Sequence, residues 1–300
     1  MLDIDINGIR FKNPVIAASG TIGFGREYNE FYDVGILGGI CSKGLTLNPK
    51  DGNDGLRVFE TESGMINSVG LENPGVDKFI NEELPNMLNF NTNIIANVGG
   101  GSIEEYEKAI EKLDSTEVQI IELNISCPNV KTGGVAFGIK SDIAYEVVSK
   151  VRKLTKKPLM VKLSPNAENI VDMAFKCCEA GADSISLINT IKSLAIDINK
   201  RKPVFNNKFA GLSGPAIKPI ALGMVYQIYR QVNVPIIGLG GIMNGKDAIE
   251  FLMAGASAVQ IGTVNFINPY AGKDIIEEIE NILKKQGIKH IQDIIGIANC

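Results

Sequence analysis

Three hundred residues are enough for one barrel-sized domain and too many for one small domain. Thirty Lys and Arg against thirty-four Asp and Glu give a formal net charge of −4; a nucleic-acid-binding surface would concentrate positive charge to displace counterions from phosphates. A hydrophobic fraction of 45% with 21% charged residues excludes wholesale disorder, and no apolar run reaches the ~18 residues that a membrane span needs.

The chain opens Met1-Leu2-Asp3-Ile4-Asp5, without the basic start and apolar stretch of a secretory signal. Ile4-Asp5-Ile6 and Ile9-Arg10-Phe11 alternate around Asn7-Gly8, a pair that favours a two-residue β-hairpin turn, and such a hairpin is placed to plug one mouth of a barrel. Eight apolar runs of strand length follow, at 15–18, 39–42, 94–98, 118–123, 159–163, 184–188, 235–239 and 258–261. Helical periodicity lies between them at 103–113, 143–154, 170–180, 217–231 and 246–254. Strands apolar on both faces suit a parallel sheet covered by helices, and eight such units predict an α/β fold, a closed (β/α)8 TIM barrel in a single domain over residues 1–300. A doubly wound open sheet is the competing architecture, disfavoured because no GxGxxG follows the first strand. Residues 45–74 after strand two and 189–214 after strand six exceed simple connections and, with the loop after strand four, are expected as insertions that carry function.

Barrels of this kind collect their chemistry at the C-terminal strand ends. Here every run stops at a polar side chain or a glycine: Ser19-Gly20, Lys43-Gly44, Asn97, Asn124, Lys162, Asn189-Thr190, Gly240-Gly241 and Gly262-Thr263. The glycines after strands seven and eight, with Gly214 at the end of the sixth excursion, suit close backbone approach to a phosphate, tight turns being the plainer reading. Lys43 and Lys162 are read as facing one cavity, where they suit an anionic ligand or a reduced, anionic flavin. For Lys162 a Schiff-base role and a structural ion pair with a nearby carboxylate stand as alternatives.

The loop Asn124-Ile125-Ser126-Cys127-Pro128-Asn129-Val130-Lys131-Thr132-Gly133-Gly134 sets a thiol just beyond a strand end. The single histidine, His290, lies near the chain's end, which argues against a Ser–His or Cys–His pair and makes Cys127 the candidate general base, an inert small hydrophobe being the alternative. Cys41, Cys127, Cys177, Cys178 and Cys300 follow no metal or disulfide spacing and suit a reducing cytosol, and the chain has no cysteine cluster of its own for an iron–sulfur centre. Asn67, Asn124, Asn129 and Asn189 offer the paired donors and acceptors that read a planar ring bearing carbonyls, N–H groups and a carboxylate.

Over nearly all its length the sequence resembles the dihydroorotate dehydrogenases, the flavin enzymes of pyrimidine synthesis. The resemblance is carried by Asn124-Ile-Ser-Cys-Pro-Asn-Val-Lys131, Asn67-Ser-Val-Gly-Leu-Glu-Asn-Pro-Gly75 and Gly240-Gly-Ile242. It implies one FMN at the top of the barrel, with its phosphate on Gly240, Gly241, Gly262 and Thr263, with Gly214 and Ile188 nearby, and with Ser19, Lys43, Gly44, Asn97, Asn124 and Lys162 completing the contacts. It implies dihydroorotate held by Lys43, Asn67, Ser68, Val69, Gly70, Leu71, Asn124, Asn129, Asn189 and Thr190, with Cys127 removing the C5 proton while C6 passes hydride to flavin N5. Cysteine as base resembles the soluble class, and 128–134 resembles its NAD-linked subtype. That subtype implies a cytoplasmic heterotetramer: self-dimerised catalytic chains, each with a partner subunit carrying FAD and an iron–sulfur cluster. The rival readings are a fumarate-linked dehydrogenase, another FMN barrel acting on a pyrimidine, a colourless Schiff-base lyase using Lys162, and a non-enzymatic scaffold.

Overall fold

The structure, a computed structural model, describes residues 1–126 and 137–299. Eight short runs rich in Ile, Val and Leu form parallel strands: Val15–Ala17, Gly39–Cys41, Asn93–Val98, Ile120–Asn124, Leu159–Lys162, Ser184–Leu187, Ile236–Leu239 and Ala258–Ile261. Each pairs with the next in sequence and the eighth pairs with the first, closing the expected barrel. Registers place Asn97 opposite Glu122, and Lys162 opposite both Asn124 and Ser186.

The outer helices bury one stripe each. Ile103–Asp114 covers Tyr106, Ala109, Ile110 and Leu113, and its first turn is capped by the Ser102 hydroxyl, which accepts the Glu105 N–H at 3.2 Å. Ser141–Arg152, Ile170–Glu179, Lys218–Tyr229 and Gly245–Met253 follow their strands as the periodicity predicts. After strand one only Arg26–Asn29 and a turn at Val34–Ile36 occupy the helix position. Among the helical stretches that the predicted set lacks, two are long. One spans residues 76–88, where Pro85 interrupts the pattern; the other is Ala271–Gln286, which follows the last strand and buries Ile275, Ile279 and Leu283.

At the N-terminal end, Ile4–Ile6 and Ile9–Phe11 pair antiparallel about Asn7-Gly8, both at positive φ, as the hairpin expectation required. Ile6 and Phe11 are fully buried, and Phe11 lies against Gly39 at the foot of strand two. At the opposite end the two long excursions are not separate lids. Val58–Thr61 and Gly64–Asn67 from one, and Ile191–Leu194 and Phe209–Ser213 from the other, join as a four-stranded antiparallel sheet in which Asn67 faces Gly211. Much of the insertion after strand four lies outside the described residues.

Candidate functional site

Inside the barrel the strands bring together a polar layer that the strand-end pattern does not reveal. Glu122, fully buried on strand four, accepts at one oxygen from the Cys41 thiol at 3.0 Å and the Asn97 amide at 2.7 Å. Its other oxygen accepts from the Ser186 hydroxyl at 2.7 Å and the Gln260 amide at 2.9 Å. Lys162, also buried, holds its ammonium 3.9 Å from the carboxylate, and that ammonium makes no hydrogen bond among the described residues. Burial works to raise the pKa of Glu122, but the Lys162 charge and the thiol, amide and hydroxyl donors outweigh it and hold the carboxyl below its usual range. Burial and the adjacent Glu122 push the Cys41 thiol well up, so it stays protonated as a donor. The ion-pair alternative for Lys162 therefore has its carboxylate.

Above this layer the strand ends gather most of the expected residues. The Asn124 side chain accepts from both the N–H and the hydroxyl of Ser126, the latter at 2.5 Å, while the Asn189 amide donates to the same hydroxyl, linking the tops of strands four and six. Leu71, Ser19 and Asn97 converge on Gly44: a Cβ there would lie 3.2 Å from Leu71, 3.8 Å from the Ser19 hydroxyl and 3.0 Å from Asn97 Oδ1. The 67–71 segment thus reaches over strand two, and the Asn53 amide ties it down through Ser68. Thr190 packs on Gly211, opposite Asn67, whose amide donates to the Gly211 carbonyl at 3.4 Å. Lys43 lies beside Gly20. Its pKa is lowered by burial, with Glu72 opposing and Arg57 reinforcing the shift.

The glycine-bearing ends also meet. Thr263 donates its hydroxyl to Ser213 at 2.9 Å, and Gly214 lies against Thr263. At Gly241 (φ 73°) a Cβ would sit 2.7 Å from the Gly214 carbonyl and 2.8 Å from Lys218, so glycine is already required there by the chain's own packing. Ile188 is buried beside Gly240. The backbone N–H groups of Gly241 and Thr263 have no hydrogen-bond partner among the described residues. Cys127 and Asn129 lie outside the described residues. Sequence reasoning passed over Glu122, Ser186, Gln260 and the bridging role of Ser126. For Glu122 and Gln260 a signal existed, a charge and an amide within strands apolar on both faces.

This architecture is that of a (β/α)8-barrel protein with polar side chains and glycines gathered at the C-terminal strand ends. Residues 1–283 match the family Dihydroorotate dehydrogenase, and the chain belongs to that family. Relatives named "Dihydroorotate dehydrogenase B (NAD(+)), catalytic subunit" include that of Petrotoga mobilis, 59% identical over 99% of this chain and 100% of its own. That of Caldicellulosiruptor saccharolyticus is 52% identical over 99% of each chain. A crystal structure of DHODH from Eimeria tenella in complex with ferulenol shares the fold with a TM-score of 0.80 at 23% identity, covering 99% of this chain and 88% of that one. Among the described residues no helix is long and apolar enough to cross a membrane.

Proposed function

We propose that this chain is the catalytic subunit of an NAD-linked dihydroorotate dehydrogenase, oxidising dihydroorotate to orotate in pyrimidine synthesis. One observation carries the reading: a buried lysine ammonium free of hydrogen bonds, the unpaired carbonyl oxygen of Asn97 and the unpaired N–H groups of Gly241 and Thr263 stand at one barrel mouth. That donor set fits FMN. Unpaired N–H groups suit its phosphate, a cation suits the edge where negative charge develops on reduction, and a buried acceptor suits a ring N–H. Bound FMN supplies a two-electron acceptor beside the substrate.

The chain's own residues do the rest. Gly214, Gly240, Gly241, Gly262 and Thr263 would cradle the phosphate, with Ile188 packing beside them, and Ser19, Lys43, Gly44, Asn97, Asn124 and Lys162 would hold the ring. Lys43, with its charge in half-buried surroundings, would bind the substrate carboxylate. Asn67 to Leu71, Asn124, Asn129, Asn189 and Thr190 would orient the pyrimidine ring, and Cys127 would take the C5 proton. Electrons would leave through a partner subunit carrying FAD and an iron–sulfur cluster, with the catalytic chains paired in a cytoplasmic heterotetramer. The test is to reconstitute the isolated chain with FMN, reduce it anaerobically with dihydroorotate, and add NAD. We expect flavin bleaching by dihydroorotate and NAD reduction only with the partner present. Robust NAD reduction by this chain alone would overturn the partner assignment.

A further inference from the structure

Glu122 has no place in the reaction just described, yet it is the most heavily hydrogen-bonded buried group at the site. A carboxylate below its usual pKa range only accepts. The amides of Asn97 and Gln260, which touch it at 2.7 and 2.9 Å, must therefore present their NH2 groups to it. In a planar amide the carbonyl then points away. Both carbonyl oxygens, Asn97 Oδ1 and Gln260 Oε1, are buried without a hydrogen-bond partner among the described residues. Buried acceptors left empty are costly, so two fixed in this way call for a donor supplied from outside the chain.

We propose that Glu122 is a positioning residue: by locking the amides of Asn97 and Gln260 and holding Lys162 beside them, it presents two acceptors and one cation to the pyrimidine edge of the flavin. The assignment rests on the FMN reading above. The ring offers one donor on that edge, N3–H, which the two locked carbonyls would share as a three-centre bond, with Lys162 held toward a flanking ring oxygen. Because Glu122 also brings a negative charge under that edge, it restrains how strongly Lys162 favours the reduced, anionic ring.

Glu122→Gln tests this with nearly unchanged shape. The new NH2 group needs an acceptor and recruits one of the two locked carbonyls by flipping its amide. We expect FMN to bind at least tenfold more weakly to the variant apoprotein, and the wild type's preference for FMN over N3-methyl FMN to fall by about tenfold. The midpoint potential of the flavin that still binds should move positive. A merely structural role would weaken both flavins equally and leave their ratio unchanged; an unchanged ratio and potential overturn the proposal. Should Glu122→Gln fail to fold, Gln260→Met removes one carbonyl directly, and the same ratio decides. The lock is also read without flavin. Side-chain amide NMR signals of Asn97 and Gln260 in the wild-type apoprotein should shift in Glu122→Gln, and signals that stay put overturn the lock. A wild-type apoprotein that takes up no FMN, with those signals shifting as expected, would instead refute the flavin reading and the orientation role that rests on it.

Discussion

Along the eight barrel strands every residue but Asn93 is buried, whereas in the antiparallel sheet over the mouth Ile66 alone is buried and Leu194 and Phe209 stand exposed. The barrel is held by dense apolar packing around a polar cluster in which Glu122 receives four donors. The sheet is held by three backbone ladders, one of which joins segments well over a hundred residues apart in sequence, with little apolar cover. Local stability follows buried apolar contact, so the sheet should exchange its amide hydrogens faster than the barrel strands. A site set between a rigid floor and a lightly packed roof can keep a cofactor fixed while substrate is exchanged.

The largest effect is expected at Cys127, which the sequence sets between strand four and the helix Ser141–Arg152. Cys127→Ala should slow anaerobic flavin reduction by roughly 10²–10⁴-fold with FMN content intact, because the proton loses its acceptor; undiminished stopped-flow rates would remove Cys127 from the chemistry. In the barrel, Phe251→Ala should cost about 3–5 kcal/mol in denaturant unfolding, since its fully buried ring leaves a cavity under Gly238. In the roof, Gly211→Val would drive a side chain into Thr190. Overpacking of about 1–2 kcal/mol predicts that KM for dihydroorotate rises roughly 5- to 30-fold while FMN stays bound. If FMN is lost instead, floor and roof are not separable.

Lys43 sits where the two regions meet. Burial lowers its pKa, so its positive charge is lost, as pH rises, earlier than for an ordinary lysine. KM should therefore climb with pH below the usual lysine range, and Lys43→Arg should move that limb upward; a flat profile would exclude Lys43 from carboxylate binding. The smallest effect is expected for Phe209→Ala, whose ring is 51% exposed: within about 0.5 kcal/mol in stability, against the several kcal/mol of Phe251.

Much of this was legible in the residues. Repeated short Ile/Val/Leu runs, five of them followed by periodic helices, specify the barrel, because strand and helix periods differ and eight strands leave few other closures. Asn7-Gly8 specifies the hairpin through the positive φ that both residues adopt. The polar strand ends were visible because each interrupts an apolar run. The joined sheet was not, since no local pattern records that Asn67 will face Gly211. Nor was the Glu122 cluster: its partners come from strands two, three, five, six and eight, and only barrel closure makes them neighbours.

The hairpin that packs Phe11 beneath strand two stoppers the cylinder from below. With that end filled, the proposed site would take in dihydroorotate and release orotate through the opposite mouth. Orotate should act as a competitive inhibitor of its own formation, because on the proposed reading it would occupy the residues that hold dihydroorotate.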